Sequence, residues 1–204
     1  AGQTSVRVRV RDQDSNALAF TVNAADQAPA SFEFAPSRGA PGQYITISGS
    51  GFGDGKTAER TIRFSARNQN GFVEANFDFP RECGTNYWTD NRIVVKVPVI
   101  PPNEVIANGA PLILMKDGQQ RISRSNFVYD DEAPVTPGIC SLYPETAAPG
   151  EAVEIAGEPF IDATVNFSNI AGLRPEAGST NNLIKLTVPA NAQSGLVKVL
   201  KNEV

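Results

Sequence analysis

The chain contains no histidine. That excludes the Ser-His-Asp and Cys-His nucleophile systems and the common zinc sites built on imidazole. Cysteine is scarce: Cys83 and Cys140 lie far apart and form no Cys-x-x-Cys pair. A mutual disulfide would suit an extracellular protein, while two buried thiols is the other reading. Basic excess is missing as well. The 18 Lys and Arg against 22 Asp and Glu leave a net charge of -4, a poor match to a nucleic-acid partner. No apolar run approaches the roughly 18 residues that a spanning helix needs, so membrane insertion is not expected. A signal peptide is not visible, and the start at Ala1 reads as a processed or excised end.

What is present is a repeat. Pro36-x4-Pro41-Gly42-x2-Ile45-x-Ile47-x-Gly49-x2-Phe52 recurs as Pro144-x4-Pro149-Gly150-x2-Val153-x-Ile155-x-Gly157-x2-Phe160. The interval is that of a whole small domain, and 204 residues, 41% of them apolar, suffice for two such cores. Ile45 and Ile47, Ile62 and Phe64, Ile93, Val95 and Val97, and Leu112 and Leu114 alternate with period two, which predicts half-buried strands. Val153 and Ile155, Val165 and Phe167, and Ile184, Leu186 and Val188 do the same in the second copy. The 17 Gly and 15 Pro break these runs at short intervals, as in a sandwich or barrel. No helix is predicted.

Three segments follow from this pattern. Residues 1–24 match the hairpin that closes the first copy, and read as the closing hairpin of a preceding module. Residues 25–133 make the first module, with an insertion between Phe64 and Pro98. Residues 134–204 make a second module that stops before its last strand. Polar linkers ending in proline fall near 24–29 and 130–137.

With these residues in view, the chain resembles the IPT/TIG family of immunoglobulin-like domains. The resemblance rests on Pro36 to Gly53, Ile62-x-Phe64, Trp88-x-Asp90-x2-Ile93-x-Val95-x-Val97-Pro98 and the strand at Phe127, and covers residues 137–204 more weakly. The second copy departs by carrying Glu158-Pro159 where glycine is usual, and by lacking an aromatic like Trp88. The resemblance implies an all-β fold of tandem immunoglobulin-like β-sandwiches, on a bacterial surface or secreted protein. It implies a non-catalytic spacer or adhesion role, with neighbouring modules or a second copy as partner. A glycan-capture accessory module of a polysaccharide-utilising protein is the alternative on which a glycan is the partner. No catalytic residue, metal ligand or cofactor is expected.

Candidate sites are few. Ser50-Gly51-Phe52-Gly53-Asp54-Gly55-Lys56-Thr57 ends like a phosphate-binding loop, but the alternating run at Ile62 and Phe64 predicts a strand where that motif needs a helix, so it reads as a turn. Phe72, Phe77, Phe79, Tyr87 and Trp88 crowd the insertion. They form either a contact surface for sugar rings or a partner, or, as burial energetics favour, a cover over the core. Asp130-Asp131-Glu132 reads as a solvated linker rather than a calcium site. Asn166-Phe167-Ser168 matches a glycosylation sequon on a predicted strand. Finally, Val6, Val8 and Val10 alternate with Arg7, Arg9 and Arg11, giving an orphan strand. Donated to the open second module of another copy, it would build a head-to-tail filament; plain truncation of a longer array is the simpler expectation.

Overall fold

The computed structural model describes residues 31–67, 71–100 and 105–201 with side chains, and the backbone of 2–6, 9–10, 13–14 and 18–22. The chain divides into two compact units, Ala1–Ala30 and Ser31–Val204. The small unit holds β1 (Gly2–Val6), β2 (Arg9–Val10), β3 (Gln13–Asp14) and β4 (Leu18–Val22). In it β1 pairs antiparallel with β4, and β2 with β3. Of the strand expected over Val6–Arg11, Val6 ends β1 and Arg9–Val10 form β2. Arg7, Val8 and Arg11 of the proposed donor segment lie outside the described residues.

The large unit is all-β, with no α-helix among the described residues. Its first half contains β5 (Glu33–Ala35), β6 (Arg38–Gly39), β7 (Tyr44–Ser48), β8 (Arg60–Ser65), β9 (Phe72–Glu74), β10 (Arg92–Lys96), β11 (Ala110–Lys116) and β12 (Gln119–Tyr129). They form two sheets, in the orders β10-β7-β5 and β6-β12-β11-β8-β9. One apolar core draws Ile45, Ile47 and Ile93 from the first sheet and Phe64, Leu114 and Phe127 from the second. Period two explains this, because alternate residues of each strand point to the same face.

The second half contains β13 (Gly138–Tyr143), β14 (Ala152–Glu158), β15 (Ala163–Phe167), β16 (Ile170–Leu173), β17 (Leu183–Thr187) and β18 (Lys198–Lys201). Its sheets run β13-β14-β17 and β16-β15-β18, around a smaller core centred on Ile155, Val165 and Ile184. Each half is thus a two-layer β-sandwich.

The sequence repeat is visible bond by bond. Gly42 N–H donates to Val97 O at 2.9 Å, and Gly150 N–H to Val188 O at 2.8 Å. Gly49 N–H donates to Asn91 O and Gly157 N–H to Asn182 O, each at 3.1 Å. Gly42 and Gly150 have φ of 86° and 89°, a left-handed conformation that a side chain resists, so both turns need glycine.

Candidate functional site at the joint between the sandwiches

The strands that bury isoleucines inward carry a second set of residues outward. In β10, Ile93 and Val95 face the core, which leaves Arg92, Val94 and Lys96 on the opposite face. The register sets Lys96 beside Tyr44 and Val94 beside Thr46 of β7. On β14, Val153 and Ile155 face the second core while Ala156 and Glu158 belong to the joint. The two outer faces meet, and Tyr44, Val94, Cys83, Cys140 and Ala156 form an apolar cluster between the sandwiches.

Cys140 reaches that cluster through a β-bulge. In the β13–β14 ladder Ile139 opposes Gly157 and Ser141 opposes Ala156, so Cys140 is the extra residue. The bulge lets Ile139 and Leu142, three apart, both pack on the second core, and re-aims Cys140 toward the first sandwich. There it is bonded to Cys83, at a Cα–Cα distance of 5.6 Å. Cys83 ends a short 3-10 turn, Arg81–Cys83, within the insertion of the first copy. Gly138 sits so close to Tyr44 that a Cβ there would fall 2.1 Å from the ring.

Polar contacts surround the cluster. Lys96 Nζ pairs with Glu158 Oε1, and the Tyr44 hydroxyl donates to that same oxygen at 3.1 Å. The Lys96 ammonium lies 5.3 Å from the Tyr44 ring centre and 5.5 Å from that of Phe79, within cation–π range. Burial and the neighbouring carboxylate push the Tyr44 phenol well above its ordinary range, so it stays protonated and remains a donor. Arg92 pairs with Glu145 at 2.8 Å. The Thr136 N–H and hydroxyl both donate to Oε1 of the buried Gln43, at 3.0 and 3.1 Å. Glu158 is thus the acceptor of the joint.

The crowded aromatics form a row of ring contacts leading from the first core to this joint. Trp88 meets Phe77 at 6.0 Å, Phe77 meets Tyr87 at 6.0 Å, Tyr87 meets Phe79 at 4.9 Å, and Phe79 meets Tyr44 at 5.4 Å. Trp88 is 2% exposed and its indole donates to Phe52 O, which corrects its placing on a contact surface. Phe77, Phe79 and Tyr87 are half-buried as they pack, and Phe72 lies under Arg63 at 3.8 Å. Phe77, Phe79 and Tyr87 thus pack against buried clusters, while Phe72 packs against the Arg63 guanidinium.

The loop with Gly-Lys-Thr is tied to its own protein. Asp90 accepts from the N–H groups of Gly53 and Gly51, which holds its carboxyl below the usual range. Arg121 donates to the carbonyls of Ser50 and Gly51, and Arg60 to those of Asp54 and Gly55. Strand β8 follows where a nucleotide loop has a helix. In the linker, Asp130 pairs with Arg38 at 2.8 Å, and no cluster of three metal-ligating side chains occurs among the described residues. Asn166 of the sequon lies in β15 and accepts from Gly172 N–H at 2.8 Å. Among the described residues no helix is long and apolar enough to cross a membrane.

Sequence reasoning missed Tyr44, Lys96, Glu158, Arg92, Glu145, Gln43 and Thr136. The signals were slight: charged residues alternating with Ile93 and Val95, and the break from glycine at Glu158-Pro159.

No protein-family model matches the chain, and no curated protein matches it. Solved structures do. One is a protein of unknown function from Bacteroides thetaiotaomicron, 13% identical at a TM-score of 0.38, covering 66% of this chain and 34% of that one. Another is a surface glycan-binding protein from Prevotella bryantii, 17% identical at a TM-score of 0.32, covering 86% and 40%. A third comes from a complex xyloglucan utilization locus in Bacteroides uniformis, 15% identical at a TM-score of 0.30, covering 84% and 44%. The chain thus spans less than half the length of each.

Proposed function

We propose that residues 31–204 form a stiff, non-catalytic arm made of two immunoglobulin-like sandwiches of the IPT/TIG kind, working at the cell surface or outside the cell. The observation that carries this reading is the joint. Sandwiches strung on a mobile linker share few contacts. Here a disulfide, an apolar cluster and two ion pairs tie the same two faces together. The disulfide also favours an oxidising compartment. Such an arm holds whatever lies at its two ends at a set distance, and neighbouring protein modules are the partners it suits best.

Small-angle scattering in non-reducing buffer tests the reading. One rigid shape, unchanged between low and high salt, is expected. A profile that needs an ensemble of bent and straight forms would refute the stiff arm.

Glycan capture is the second reading. Two of the similar structures are described in terms of glycan binding or xyloglucan use, and a stiff arm is a part that such a protein can employ. TM-scores of 0.32 and 0.30 lend it no weight of their own. Retention on immobilised xyloglucan decides it: retarded migration supports capture by this chain, and free passage rejects it.

A further inference from the structure

We propose that residues 76–88 are a strap guarding the Cys83–Cys140 disulfide, and that Lys96 is the pin that holds the strap shut. Thiol reductants reach the bond only when the strap lifts. This guard presupposes the fastened joint proposed above and sets the route by which that joint is undone.

The feet of the strap are planted in the first sandwich. At one, Asn76 N–H donates to Lys96 O at 3.1 Å, Lys96 N–H donates to Asn76 O at 2.9 Å, and Phe77 packs on the first core. At the other, Val94 N–H donates to Tyr87 O at 2.7 Å, and Trp88 is buried in that core. The stretch between is tied differently. There the N–H groups of Phe79, Cys83 and Gly84 donate to the carbonyls of Phe77, Pro80 and Arg81, all within the strap. Its middle meets the joint through the Phe79 ring against Tyr44, through Cys83 in the apolar cluster, and through the turn Arg81–Cys83 against β14. Such a segment opens locally at less cost than the sheets on which it rests.

One side chain gathers these contacts. Lys96 Nζ donates to Asp78 O at 2.5 Å, pairs with Glu158 of the second sandwich, and stands over the Tyr44 and Phe79 rings. The strap and both sandwiches are thus joined at one cation, whose side chain is only 12% exposed. Removing it takes a donor from Asp78 O, a partner from Glu158 and a cation from the Phe79 ring.

Both cysteines are 1% exposed. Reduction by a dithiol begins when its thiolate attacks one sulfur along the S–S axis; a mixed disulfide forms and the other cysteine leaves as a thiolate. The second thiol of the reductant then displaces the remaining cysteine. Both protein sulfurs end reduced, and the dithiol ends oxidised to a cyclic disulfide. The attack needs a clear line to sulfur, which the closed strap denies.

The test follows reduction of the whole chain by dithiothreitol, quenched with iodoacetamide and read as mass gained at Cys83 and Cys140. The folded chain should be reduced roughly a hundredfold more slowly than the same chain unfolded in urea. Lys96→Met should be reduced roughly tenfold faster than the native chain, and Lys96→Arg, which keeps the cation, should recover most of the protection. Gly118→Ala is the control for a chain that is merely less stable, since that residue lies in the open β11–β12 turn with a left-handed φ of 80°. It should leave the rate near native. Reduction as fast folded as unfolded, or equal acceleration by Lys96→Met and Gly118→Ala, would overturn the strap. A Lys96→Arg chain reduced as fast as Lys96→Met would overturn Lys96 as its pin. Failure of the stiff arm would show instead in the scattering of the oxidised chain, to which these rates do not contribute.

Discussion

The Tyr44 hydroxyl donates to Glu158 Oε1 at 3.1 Å, from the first sandwich to the second, and Lys96 pairs with the same oxygen. Two side chains of the first module converge on one carboxylate oxygen of the second, beside an apolar cluster. Their neighbours are hydrophobic, so each polar group there needs its partner.

Tyr44→Phe removes one hydrogen bond and keeps the ring. It should lower stability by about 1 kcal/mol. Lys96→Met leaves Glu158 without its cation and should cost about 1–2 kcal/mol, trimmed by solvent because the Glu158 side chain is 31% exposed. Urea unfolding of both variants checks this. A larger loss in Tyr44→Phe than in Lys96→Met would contradict the assignment of roles.

The disulfide closes a sequence separation of 57 between the two sandwiches. Replacing both cysteines by serine should cost about 2–4 kcal/mol. The loss should fall mainly on the second sandwich, whose core is the smaller. Limited proteolysis should then cut first at 130–137, and an unchanged cleavage pattern would speak against the joint as the main fastening.

Gly138→Ala places a Cβ 2.1 Å from the Tyr44 ring, so either the ring or β13 must shift. Overpacking of this kind costs about 1–3 kcal/mol. Heat denaturation should show the drop, while Gly118→Ala, in an open turn, should suffer only from its left-handed φ of 80°.

Asp90 supplies a pH dependence. The Gly53 and Gly51 N–H groups favour its ionised form, so its folded value lies below the unfolded one. Its contribution is therefore present above the ordinary carboxylate value and is lost as pH falls through the lowered one. Asp90→Asn should flatten the acid limb of a melting-temperature profile below about pH 4. An acid limb as steep as that of the native chain would show that Asp90 does not contribute to it.

Much of the architecture was legible because it rests on period two and on turn chemistry. Ile45 and Ile47, Ile62 and Phe64, and Val153 and Ile155 lie in strands where alternation placed them, and Pro41-Gly42 and Pro149-Gly150 mark the same turn twice. The short strands β6, β9 and β16 were not legible, since two to four residues hold too little pattern. In β13 the odd spacing of Ile139 and Leu142 hid a strand until the bulge at Cys140 explained it. The joint stayed hidden for a different reason. Tyr44, Lys96 and Glu158 are outward positions, and nothing local in a sequence says what will cover an outward face.

The most direct measurement is the distance between spin labels at the exposed positions 119 and 177, one on each sandwich, by double electron–electron resonance. A fastened joint predicts a single narrow distribution that broadens when Cys83 and Cys140 are replaced. A distribution already broad in the disulfide-bonded chain would contradict the stiff arm.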